Sequence, residues 1–147
     1  MYQFDFKKRV RYSETDKMGY LYYGQYPKYY EIGRVEMLRS LGMSYREMED
    51  ELGVMMPVAS LEIRYLRPAY YDELITIRTK LLKLPDKRIR FYVELYNEEG
   101  LLINSGKVSL AFVELATGKT VQAPPKLLEV LQPHFEDTED HGHESTV

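Results

Sequence analysis

Asp16 stands in the stretch Glu14-Thr15-Asp16-Lys17-Met18-Gly19, a few residues ahead of what reads as the longest helix of the chain. The first turn of a helix leaves its N–H groups unpaired, and the helix dipole adds positive potential there. That end is a ready site for an oxyanion. A carboxylate beside it suits a general base or a nucleophile rather than an acid. Chemistry is expected here. Taken alone, an aspartate in a loop before a helix reads as a cap or turn residue, because Asp is common at such positions.

The rest of the chain offers little competition. There is no cysteine, which removes disulfides, thiolate metal sites and a cysteine nucleophile together. Ser60 and Ser109 have no histidine to activate them, since His134, His141 and His143 all lie at or beyond the last predicted helix. A Ser-His-Asp triad in the folded body is therefore not expected. The tail run Asp140-His141-Gly142-His143 has metal-ligand types, but a flexible tail segment is the better reading and no metal is assigned. Glu14 reads as solvated, and Glu31 and Glu36 as polar-face residues of the helix.

The elements that must position Asp16 follow from periodicity. Residues 22–41 carry Tyr26, Tyr30, Gly33, Met37 and Leu41 at spacings of three and four, with Pro27 in the first turn and Gly42 at the stop. Residues 4–12 alternate as a first strand. Ser44 and Glu47 form a capping-box pattern opening a short helix to residue 52. From residue 54 the period changes to two, with strands at 56–66, 74–84, 88–96 and 101–115, the last bent at Gly106. Pro124-Pro125 opens a short helix over 126–131, stopped near Pro133.

One helix and one five-stranded sheet make an α+β layer pair, with the sheet wrapped around the helix. Such a sheet leaves an outer face and edges to be covered, so at least a dimer is expected. The 147 residues suit one domain over residues 1–135. Residues 136–147 hold five acidic residues and no Lys or Arg, and read as a disordered tail. Without that tail, 20 basic residues face 18 acidic ones, which argues against a dedicated nucleic-acid binder. No apolar run approaches the length of a membrane span, and residues 1–10 lack a signal peptide's apolar core. A cytoplasmic protein is expected. Fourteen tyrosines and no tryptophan point to rings used mostly in packing or subunit contact.

Two segments resemble the 4-hydroxybenzoyl-CoA thioesterase family. The run Asp16-Lys17-Met18-Gly19-Tyr20-Leu21-Tyr22-Tyr23-Gly24-Gln25-Tyr26 is similar to its signature: an aspartate, a glycine three residues on, then apolar and aromatic residues into the helix. Leu66-Arg67-Pro68-Ala69-Tyr70-Tyr71-Asp72-Glu73-Leu74 resembles its second recurrent segment, and the order of elements matches its hotdog fold. The resemblance implies hydrolysis of an acyl-CoA thioester by a homo-oligomer, a dimer or a tetramer of hotdog subunits, without cofactor. It implies Asp16 as the catalytic carboxylate and the backbone N–H of Tyr23 as the group that polarises the carbonyl. Gly19 would allow loop and ligand to approach closely, with Tyr22 and Tyr26 beside the substrate. Arg64, Arg67, Lys83, Lys87, Arg88 and Arg90 are basic enough to meet CoA phosphates, but surface arginines on strands are common.

Many members carry His and Asn where this chain has Tyr23 and Gln25, while others, including 4-hydroxybenzoyl-CoA enzymes, have an aromatic residue in the His position. The substrate class therefore stays open. Two alternatives stand beside the CoA thioesterase: a thioesterase acting on acyl carrier protein, and a non-catalytic acyl-thioester-binding module. A dehydratase would need a histidine at the helix end, and the body has none before residue 134.

Overall fold

The computed structural model describes the backbone of residues 1–145 and the side chains of residues 1–136. Strand β1 (Tyr2–Arg9) leads through a 3-10 turn (Tyr12–Glu14) and a loop to a second one (Tyr23–Gln25), which runs into α1 (Tyr26–Ser40). Then come α2 (Tyr45–Asp50), β2 (Val54–Met55), β3 (Val58–Tyr65), β4 (Leu74–Leu81), β5 (Arg88–Tyr96), β6 (Leu102–Ala111), β7 (Val113–Glu114) and α3 (Pro125–Ser145). The expected α+β pairing of a long helix with a five-stranded antiparallel sheet is what the chain forms, in the order β1-β4-β5-β6-β3.

Helix α1 starts at Tyr26, the first residue of its stripe, rather than at residue 22, because residues 23–25 take the tighter 3-10 winding. Its buried face is Tyr26, Tyr29, Tyr30, Gly33, Arg34, Met37 and Leu38. Gly33 lets the helix settle on β4: a Cβ there would lie 2.4 Å from Thr79 Oγ1 and 2.7 Å from Ile77 Cγ2. Tyr29 and Tyr30 are both fully buried, and each such ring contributes on the order of 2–3 kcal/mol of hydrophobic stabilisation.

Gly106 does not bend its strand. It pairs in register with Val93 and Ile63, and the space its missing side chain leaves is filled by the Tyr30 ring. The break falls later, at Phe112, where β6 gives way to β7 and the small β2-β7 pair. Two-residue strands carry no readable alternation, so this pair has no signal in the sequence. Ser44 caps α2 as expected, its hydroxyl accepting from the Glu47 N–H at 3.0 Å. The Glu47 side chain pairs instead with Lys126.

Helix α3 continues past Pro133, whose ring removes one helix hydrogen bond without ending the element. Leu127, Leu131 and Phe135 bury its inner face. The disorder expected over residues 136–147 concerns a segment whose side chains beyond Glu136 lie outside the described residues.

Candidate active site

The loop between β1 and α1 closes on itself. Thr15 bridges Leu21, the Asp16 N–H donates to the Tyr20 carbonyl at 2.9 Å, and the Tyr22 N–H donates to the Glu14 carbonyl at 2.9 Å. At its tip Gly19 has φ +77°, a left-handed conformation that glycine adopts without penalty. An added Cβ at Gly19 would meet no protein atom within 4 Å, so glycine is required there by the turn itself.

Asp16 is exposed and its two oxygens are used differently. Oδ1 accepts from the N–H groups of Met18 (2.9 Å) and Tyr20 (3.1 Å), which fixes the carboxylate within its own turn. Among the described residues Oδ2 has no partner, so it is available to take a proton or to attack.

The Tyr23 amide is set by the turn that precedes α1. The Gln25 N–H donates to the Tyr22 carbonyl at 2.9 Å. In a planar trans peptide the Tyr23 N–H points opposite to that carbonyl, out of the open end of the turn. No hydrogen bond among the described residues uses it.

Asp16, Tyr23 and Tyr26 line one groove of about 320 Å³, faced by Tyr65, Leu66 and Arg67. Burial pushes the Tyr26 hydroxyl up to about 12, so it stays protonated at neutral pH. Tyr22 does not line the groove; its ring lies 4.7 Å from the Tyr23 ring and folds over Gly24, where a Cβ would come within 2.7 Å of it. Of the predicted site residues, then, Asp16, Tyr23 and Tyr26 share the groove, Gly19 shapes the loop, and Tyr22 stands beside. Arg67 belongs to the groove wall, whereas Lys83, Arg88 and Arg90 gather around a separate hollow and Arg64 borders another.

Glu14 corrects the sequence expectation. It is 3% exposed rather than solvated. Its Oε1 accepts from the Arg11 N–H (2.8 Å), the Tyr29 hydroxyl (2.8 Å) and Lys8 Nζ (3.0 Å), while Oε2 pairs with Lys28. Burial pushes this carboxyl up, but the Arg11 amide, Lys28, Lys8 and Tyr29 together outweigh it and hold the group at about 2. Tyr65 was also missed as a site residue. Its only signal was its place on one face with Leu61 and Ile63 in an alternating strand, which reads as packing.

No cluster of three or more His, Cys, Asp or Glu suited to a metal occurs among the described residues. No helix among them is long and apolar enough to cross a membrane.

Comparison with known proteins places the chain in a family. The acyl-CoA thioesterase YbgC of Haemophilus influenzae is 29% identical over 124 residues, 84% of this chain and 90% of that one. The acyl-CoA thioester hydrolase YbgC of Escherichia coli O6:H1 is 30% identical over 106 residues, 72% and 78% of the two chains. The crystal structure of a DHNA-CoA thioesterase from Staphylococcus aureus superposes with a TM-score of 0.78 at 29% identity, over 99% of this chain and 92% of that one. The architecture is thus the hotdog fold of the thioesterases. Residues 10–131 match the family model of the Thioesterase-like superfamily, and the chain belongs to that family.

Proposed function

We propose that the protein hydrolyses an acyl-CoA thioester to the free acid and CoA, in the groove between Asp16 and the turn at Tyr23. The observation that carries this reading is the pairing, on one groove, of a carboxylate and a helix-end N–H, with Asp16 Oδ2 and the Tyr23 N–H both without a partner among the described residues. In the general-base form, Asp16 Oδ2 takes a proton from water as its oxygen attacks the carbonyl carbon. The carbonyl oxygen gains negative charge, which the Tyr23 N–H receives. The C–S bond then breaks, and the proton held by Asp16 goes to the departing thiolate. In the nucleophile form, Oδ2 itself attacks, CoA leaves, and water cleaves the acyl-aspartate anhydride.

Gly19 serves this chemistry by giving the loop its turn, and Tyr26 supplies aromatic surface for the acyl thioester. No cofactor enters either form. The names of the relatives, acyl-CoA thioesterase and thioester hydrolase, support CoA as the thiol carrier.

The same reading includes a homo-oligomer. Edge strand β3 exposes Val58, Leu61 and Tyr65 at 51%, 38% and 52%, apolar surface beside unpaired backbone groups. An edge of that kind calls for a partner strand. Light scattering on the purified chain should return a dimer or a tetramer.

The test of the activity is release of free CoA from a panel of short, medium and long aliphatic acyl-CoAs plus benzoyl- and 4-hydroxybenzoyl-CoA. Turnover above background on at least one supports the reading. Turnover on none of them, with turnover on a charged acyl carrier protein, would replace CoA by that carrier; inactivity on both would leave a binding module.

A further inference from the structure

Glu14 has no direct part in the chemistry just described, and it does not line the groove. Its burial still needs a reason. A carboxylate taken out of water with two lysines gains little net stability over a well-packed apolar group, because desolvation offsets most of the attraction. Its contribution must be sought in geometry.

Three parts of the chain converge on this one carboxylate. Lys8 comes from β1, Arg11 from the connection, and Lys28 and Tyr29 from the first turn of α1. The backbone of the same residue is equally engaged. Its N–H donates to the Arg11 carbonyl at 3.0 Å, and its carbonyl accepts from the Tyr22 N–H at 2.9 Å. Asp16 is two residues after Glu14, and the Tyr23 amide is one residue after Tyr22. Both ends of the closed loop are therefore pinned at Glu14, one through the chain and the other through Tyr22.

We propose that Glu14 is a positioning residue: clamped between β1 and α1, it sets the placement of Asp16 relative to the Tyr23 amide. The proposal rests on the thioesterase reading for its catalytic consequence, but not for its structural one. Lys28 and Lys8 hold the carboxylate from opposite elements, so a change at either should loosen the loop without touching the groove.

The experiment uses Glu14→Gln, which preserves shape but removes the charge facing both lysines and puts an N–H₂ donor in place of one accepting oxygen. Well below its melting temperature, its kcat should fall roughly 10- to 100-fold, as for a small misplacement of reacting groups. KM should stay within about threefold, since substrate contacts are unchanged. If Glu14 acts through Asp16, then adding Glu14→Gln to Asp16→Ala should lower the residual rate by no more than about twofold. Adding Lys8→Met to Glu14→Gln removes a stranded cation; it should restore melting temperature but not kcat.

Amide hydrogen exchange gives a readout independent of turnover. In Glu14→Gln the Met18, Tyr20 and Tyr22 amides should exchange faster, while those of Val93 and Leu95 in the core keep their protection. Should that variant fail to fold, Lys28→Met, at a side chain 48% exposed, loosens the same clamp and should show the same exchange pattern. Wild type that cleaves no thioester would remove the thioesterase reading while exchange still decides the positioning role. Unchanged exchange in the loop, unchanged kcat, a full additive loss on Asp16→Ala, or recovery of kcat together with stability by Lys8→Met would each overturn the proposal.

Discussion

The Tyr65 hydroxyl donates to the backbone carbonyl of Tyr23 at 3.1 Å, so the edge strand β3 holds the turn that opens α1. The same ring meets Tyr26 edge-on, with centroids 5.1 Å apart and planes at 90°. Tyr65→Phe keeps the ring contact and removes only the hydrogen bond. A single hydrogen bond of this kind contributes about 0.5–1.5 kcal/mol, so kcat should drop roughly two- to tenfold with little change in melting temperature. Steady-state kinetics beside a thermal melt will check both halves.

Gly19→Ala tests the loop in another way. The side chain would have room, but φ +77° costs an L-residue about 1–2 kcal/mol. The strain should be relieved by shifting the loop rather than unfolding the domain. Turnover is expected to fall more than stability, and Gly19→Asn, which tolerates this conformation better, should fall less.

Much of this arrangement was legible in the sequence and some was not, for reasons tied to distance along the chain. The period-four stripe from Tyr26 to Met37 and the period-two runs of β4 and β5 are local patterns, and they located the helix and the sheet. The loop at Asp16 stood out because a carboxylate, a glycine and a helix start fall close together. Glu14 was misread because its partners Lys8, Lys28 and Tyr29 are six, fourteen and fifteen residues away on two different elements. No spacing rule links them. Gly106 was misread for the same reason: what it accommodates is the ring of Tyr30, brought across from α1 by the fold. Tyr65 reaches Tyr23 only once β3 lies beside the helix start.

Gly106→Ala should therefore be a core mutation in effect. Its Cβ would lie 2.2 Å from the Glu62 carbonyl oxygen and 2.6 Å from the Tyr30 ring and hydroxyl. Overpacking of this kind costs about 1–3 kcal/mol, and the backbone contact places it at the upper end. Urea denaturation is the measurement, and a loss below about 0.5 kcal/mol would contradict the seat assigned to Tyr30.

Acid stability should carry the mark of Glu14. Its folded carboxyl is held at about 2 against an ordinary 4.5, so the folded state binds its proton less readily than the unfolded chain does. The resulting stability is fully present above about pH 4.5 and lost as pH falls towards 2, an effect on the order of 2–3 kcal/mol. The gap in unfolding free energy between wild type and Glu14→Gln should be constant from pH 7 to about 5 and then narrow. A gap that widens on acidification would reverse the sign argued here.

The most direct test of the mechanism compares wild type with Asp16→Ala on the best acyl-CoA of the panel, following free CoA, with circular dichroism and light scattering to show that the variant keeps its fold and assembly. Removing the only carboxylate that lines the groove among the described residues should lower kcat by roughly 10²–10⁴-fold, the range expected of a general base. Turnover that survives the substitution within a few-fold would take Asp16 out of the reaction and leave the family's fold without this mechanism.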